Sequence, residues 1–245
     1  MRPDRTGAGG DRTPTPDSMI QSEWRMKLVG ELRELFADQQ VFVASDLFWY
    51  PLADDLATCQ APDVLVAFDR PPGFRESYRQ WEEDGTAPHV VFELRSPNDT
   101  RAAMAAKQAF YDLHGVEEYY LLDPHNGSGI GWVRNSARFE LVYPLDGYVS
   151  PRLGVRVEEG GGELRLFTPD GREFRTREQR VGEIQEELRQ TTLAFESERE
   201  RALNALRWLS EERGRAEQAR SARDALAAKL RELGIDPDEF LRAAA

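Results

Sequence analysis

HVVFELRSPNDT, residues 89–100, joins a short, nearly continuous apolar run to a turn rich in helix-capping residues. His89 to Leu94 suits a central strand buried on both faces, because a strand covered on both sides has no reason to alternate apolar with polar residues. Ser96-Pro97-Asn98-Asp99-Thr100 forms a turn and can cap the next helix, which covers roughly Arg101 to His114 and stops at Gly115. YYLLD (Tyr119 to Asp123) reads as the following strand. Upstream, VFVASDLFWY (Val41 to Tyr50) and DVLVAF (Asp63 to Phe68) are β-branched or aromatic and are bounded by Pro51 and Pro62. Downstream, GWVR, FELVY and ELRLF give shorter strand patterns, the last ending at the turn Thr168-Pro169-Asp170-Gly171. Strand, strand, helix, strand predicts an α/β core with a mixed sheet flanked by helices.

The two ends differ from this middle. Residues 1–18 are rich in Gly, Pro, Arg and Asp and show no apolar period, so a disordered leader is expected. Ser22 can cap a first helix, Glu23 suits its positive end, and Met26, Leu28, Val29, Leu32, Leu35 and Phe36 give it an apolar face. The globular domain is therefore expected over 19–175. From 176 to 245 there is no proline before Pro237, and one heptad register reads Val181, Leu188, Phe195, Ala202, Leu209, Ala216, Arg223, Leu230. A helix of that length needs a partner for its stripe, which predicts a coiled coil and a homodimer through the C-terminal helix; the plain alternative is a long amphipathic helix lying on its own domain. Glu198, Glu212, Gly214 and Arg223 interrupt the pattern.

Composition narrows the function classes. The chain has 245 residues, is 40% hydrophobic and carries one cysteine, Cys59, with three histidines. An internal disulfide is impossible and a zinc site has few ligands to draw on. No apolar run reaches membrane-spanning length and no signal layout opens the chain, so a cytoplasmic protein without a membrane partner is expected. The net charge is −12, and residues 1–175 hold 19 basic against 29 acidic side chains. Strong non-specific DNA binding usually goes with a basic excess, so any nucleic-acid contact here must be local.

Two carboxylates stand out against apolar strands. Asp63 opens DVLVAF, and Glu93 interrupts HVVFEL. Acidic residues are poor strand formers and costly to bury unpaired, so two of them on neighbouring strands suggest a shared cation. Two carboxylates with a backbone carbonyl, naturally that of Leu94, make a Mg²⁺ (or Mn²⁺) site. Lys107 follows on the next helix and is one of three lysines against 29 arginines. Its ammonium can orient an attacking water and offset charge in a phosphorane-like transition state. Each residue also has a plain structural reading: Asp63 as a turn residue, Glu93 and Arg95 as a surface ion pair, Lys107 as a solvated helix residue.

APDVLVAFDR, SYRQWEEDGTAPHVVFELRSPNDTR and KQAFYDLHGVEEYYLLDP together resemble the Uma2 restriction-endonuclease family, part of the PD-(D/E)XK nuclease superfamily. The resemblance covers roughly residues 22–175, and the helical tail is also similar to that of many members. It implies a restriction-endonuclease-like fold, with Asp63 as the motif aspartate, Glu93 as the second acidic ligand and Lys107 as a catalytic lysine displaced onto the helix. In the superfamily the lysine more often sits two residues after the glutamate, where this chain has Arg95. Lys107 is the favoured cation, because arginine cannot give up a proton. Glu23 resembles the acidic position of the family's first helix and is a secondary candidate, although helix capping explains it too. Asp46 is another, able to line the same cleft or to face outward from its strand.

The expected function is Mg²⁺-dependent hydrolysis of phosphodiester bonds in nucleic acid, most naturally DNA. The competing expectation is an inactive nuclease-like scaffold that oligomerises through its C-terminal helix. If Lys107 only orients water, Lys107→Ala is expected to lose cleavage and keep metal affinity.

Overall fold

The computed structural model describes residues 16–237, with side chains from Met19 onward; residues 1–15 of the expected leader lie outside the described residues. The chain divides into two compact units, Met1–Val181 and Gly182–Ala245. The first is mixed α/β. It opens with α1 (Pro16–Leu35) and continues through β1 (Val41–Ala44), β2 (Trp49–Tyr50), β3 (Val64–Phe68), β4 (Tyr78–Arg79) and β5 (Val90–Leu94). Then come α2 (Arg101–Leu113), β6 (Glu118–Asp123), β7 (Ser128–Arg134), β8 (Phe139–Val142), β9 (Arg156–Gly160) and β10 (Glu163–Phe167).

Six strands form the central sheet in the order β1-β3-β5-β6-β7-β8. Every residue of β5 is buried, as its unbroken apolar run requires. It pairs antiparallel with β3 and parallel with β6, which makes the sheet mixed. The parallel pair needs a crossover, and α2 provides it. Thr100 caps α2 by accepting from the Ala103 N–H at 3.1 Å. Gly115 ends the turn after α2 at φ 93°, a conformation that a Cβ disfavours. Leu28 and Leu32 of α1, with Phe36 just after it, pack with Leu164 and Leu166 of the β9–β10 hairpin on the sheet face that carries Phe92 and Leu94. Tyr111 of α2 packs with Trp49, Tyr78, Val91 and Tyr119 on the other face.

Two features depart from the sequence reading. The first helix begins at Pro16, so Ser22 and Glu23 lie inside it and do not cap it. Three further acidic residues are buried, Glu31, Glu118 and Asp123, and the two glutamates find partners far along the chain. Glu31 of α1 is ion-paired with Arg172 at 2.6 Å and Arg175 at 3.2 Å. Glu118 accepts from the Tyr120 hydroxyl at 2.8 Å, the Ser150 hydroxyl and the Arg152 N–H at 2.6 Å. The edge strand β1 is also guarded: Arg33 donates to the Val43 carbonyl through Nη2 at 2.8 Å, occupying an acceptor that a foreign strand would need.

The second unit consists largely of α3 (Arg177–Glu232), a 56-residue helix with no buried residue. Val181, Ile184, Leu188, Phe195, Leu206 and Leu209 are all exposed along it. Among the described residues, no helix is long and apolar enough to cross a membrane.

Candidate metal and catalytic site

The register between β3 and β5 places the two carboxylates. Val64 lies opposite Phe92, so Asp63, one residue before β3, falls opposite Glu93. Directly opposite residues project from the same face of a sheet, and here that face is the one covered by α2. Because β3 has already ended, the Leu94 N–H finds no strand partner on that side. Asp63 Oδ2 accepts from it instead, at 2.8 Å. The Leu94 carbonyl faces the same edge, since the N–H and C=O of one strand residue point the same way. It accepts from Gln21 Nε2 at 3.0 Å.

Glu93 is 2% exposed and is held from α2. Lys107 Nζ lies 2.7 Å from its Oε2, and the Tyr111 hydroxyl donates to its Oε1 at 2.5 Å. Lys107 and Tyr111 are four residues apart, so both project from one stripe of the helix. Tyr111 is itself fully buried, stacked on Trp49. Burial pushes the Glu93 carboxyl up to about 7; Lys107 pulls it back, and Asp63 pushes it further. Desolvation, with Glu93 alongside, raises the Tyr111 phenol strongly, so it remains a proton donor to the carboxylate.

Of the expected residues, Asp63, Glu93, Leu94 and Lys107 come together, and three others do not join them as expected. Glu23 is exposed on α1 with its charge toward Lys27. It stands two residues from Gln21, about 200° around the helix, and so points away from Leu94. Arg95 makes no pair with Glu93; its guanidinium lies 3.5 Å from Asp123 Oδ2 at the end of β6. Asp46 sits in a left-handed turn after β1, at φ 50°, and pairs with Arg25. Arg25 reaches the site as well, with Nε 3.5 Å from Asp63 Oδ1, and that buried nitrogen has no hydrogen-bond partner among the described residues. Gln21, Arg25 and Tyr111 were not singled out from the sequence. The spacing 21, 25, 28, 32 runs down one stripe of α1, a signal usable only once its buried face is known.

The donor set fits a hard divalent cation. Among the described residues no three His, Cys, Asp or Glu side chains gather as a metal cluster, so the site offers two carboxylates and one carbonyl. That suits Mg²⁺, which keeps several waters and takes one or two carboxylates. A carboxylate has about four lone-pair sites. The contacts described to Glu93 and to Asp63 occupy about two on each, leaving lone pairs on both that an ion could take. Tyr111→Phe should therefore weaken Mn²⁺ binding at neutral pH by calorimetry, with no collapse of the fold, because it removes a donor that favours the ionised carboxylate. Unchanged affinity would show that the Lys107 contact alone sets the orientation of Glu93.

The sequence profile of the Uma2 family, described as "Putative restriction endonuclease", matches residues 13–198. A search of the curated proteins gave no match. Among solved structures, one similar chain is "a putative nuclease belonging to DUF820" from Anabaena variabilis. It is 17% identical, with a TM-score of 0.40, over 56% of this chain and 73% of that one.

Proposed function

The chain belongs to the Uma2 family, and on that premise we propose that it is a metal-dependent endonuclease of the PD-(D/E)XK type, hydrolysing phosphodiester bonds of DNA. Asp63, Glu93 and the Leu94 carbonyl would hold Mg²⁺ or Mn²⁺. The observation that carries this reading is the meeting of Lys107 with a buried Glu93 that lies opposite Asp63. A buried acid with a raised pKa beside a positioned cation is the pattern expected of a reactive centre. The chemistry such an ion supplies is charge at the scissile phosphate and a more acidic water.

The chain's own residues do the rest. Tyr111 and Lys107 hold the two oxygens of Glu93, fixing its rotamer and favouring its ionised form. Lys107 keeps 29% of its side chain exposed, so its ammonium can also meet an incoming water and the developing negative oxygen. The Leu94 N–H fixes Asp63. Arg25, between Asp46 and Asp63, supplies the positive charge that balances these carboxylates before substrate arrives.

Calorimetry with Mg²⁺ and Mn²⁺ tests the reading, coupled to cleavage of plasmid and single-stranded substrates at low salt, where an acidic protein best engages DNA. Wild type should bind the ion and cut. Metal binding without cleavage of any substrate would instead favour an inactive scaffold.

The tail carries a separate proposal, a homodimer formed through residues 181–233. Its support is the exposed apolar stripe of α3, unusual for a chain left alone in water. Light scattering should give a dimer for the full chain and a monomer for a chain ending at Thr176. A full-length monomer at micromolar concentration would refute it.

A further inference from the structure

Just past the end of β5, at the strand end that carries Glu93, lies a cavity of about 220 Å³, lined by Arg95, Ser96, Pro97, Asp123, His125 and Asn126. We propose that it binds a phosphate group of the nucleic-acid strand next to the one cleaved, with Arg95 as the residue that grips it. The proposal rests on the nuclease reading above and adds to it a second contact site on the same strand.

Arg95 follows Glu93 by two residues, so it projects from the same face of the sheet. The ladder continues past β5, with the Arg95 N–H donating to the Leu122 carbonyl at 2.7 Å. Two strand residues advance the chain by about 6.6 Å, comparable to one nucleotide step along a strand. The site is braced as a binding site would be. Asp123, at 8% side-chain exposure, accepts from the His125 and Asn126 N–H groups at 3.2 and 3.0 Å and from Asn126 Nδ2 at 2.8 Å. Those contacts fix the carboxylate, which in turn orients the guanidinium from one side at 3.5 Å. Arginine carries five N–H donors in a planar fork, and with 54% of the side chain exposed the others remain open to an anion. Asp123 lines the cavity as well, but its lone pairs are largely spent on the turn that follows β6.

The test is fluorescence anisotropy of the full-length chain in Mg²⁺ with a phosphorothioate-linked oligonucleotide, which resists hydrolysis, across a salt series. Arg95→Gln should weaken binding about tenfold or more, since it removes a charged hydrogen bond. It should lower the salt slope by about 0.7 to 0.9, the contribution of one neutralised phosphate. Arg95→Lys should recover the slope but only part of the affinity, because it restores the charge without the fork. Mg²⁺ affinity by calorimetry and the melting temperature should stay at wild-type values in both variants. If wild type binds the oligonucleotide and Arg95→Gln matches it in affinity and slope, the phosphate site is refuted and the nuclease reading stands. Loss of Mg²⁺ affinity in Arg95→Gln would place Arg95 in the metal site and also refute it. If wild type binds no oligonucleotide at any salt, the nuclease reading fails and this inference with it.

Discussion

Asp63→Ala should abolish cleavage and metal binding together, whereas Lys107→Ala should cost about 10²–10⁴ in rate, the range for one positioned acid–base group. The two variants differ because an aspartate can be a ligand and an ammonium cannot. A simple reading of the lysine would leave its variant with full metal affinity. The ion pair changes that expectation. Lys107 is the nearest positive charge to a buried carboxylate whose affinity for protons is already raised. Without it, Glu93 should hold its proton more tightly still, and a proton competes with the ion for the same oxygens. Lys107→Ala should therefore bind Mn²⁺ weakly at neutral pH and recover affinity as pH rises, while cleavage stays low throughout. Wild-type metal affinity at pH 7 in this variant would mean that the ammonium does not control the charge on Glu93. Full cleavage would remove Lys107 from the chemistry.

The second large effect is on pH and metal together. The ordinary glutamate value is 4.5, and in the folded chain Glu93 is pushed up to about 7. Between those values the native state binds a proton that the unfolded chain has released. Stability then falls as pH rises through this window, by about 3 kcal/mol if Glu93 acts alone. The contribution is fully present below about 4.5 and is lost by the time pH has passed about 7. An ion bound to the ionised carboxylate reverses the loss by mass action. Thermal melts of wild type should show Mn²⁺ raising the melting temperature strongly at pH 8 and hardly at pH 5.5, and cleavage should rise through pH 7 in step. Glu93→Gln should flatten both responses. Equal stabilisation by Mn²⁺ at the two pH values would place the ion elsewhere.

Much of this architecture was legible one segment at a time. The apolar run of 90–94, the capping turn at 96–100 and the glycine at 115 determine a buried strand and a helix from local chemistry alone, because burial on both faces and cap geometry act over a few residues. Asp63, Glu93 and Lys107 were equally visible, since an acid inside an apolar strand is conspicuous wherever it occurs. Which groups meet was decided by the tertiary structure. Arg95 and Lys107 compete on paper for the same role. Parallel pairing with β6 brings Asp123 beside Arg95, while α2 turns Lys107 and Tyr111 toward Glu93. On the first helix, Glu23 gives way to Gln21 and Arg25, because the packing of Leu28 and Leu32 sets the phase of the whole stripe. Glu31 with Arg172 and Glu118 with Ser150 were unreadable for the same reason: partners 141 and 32 residues apart meet only when the chain folds. A residue's own chemistry and its local period are written in the sequence. Its partner across the sheet depends on register and helix phase, and those follow from burying the apolar surface of the whole domain at once.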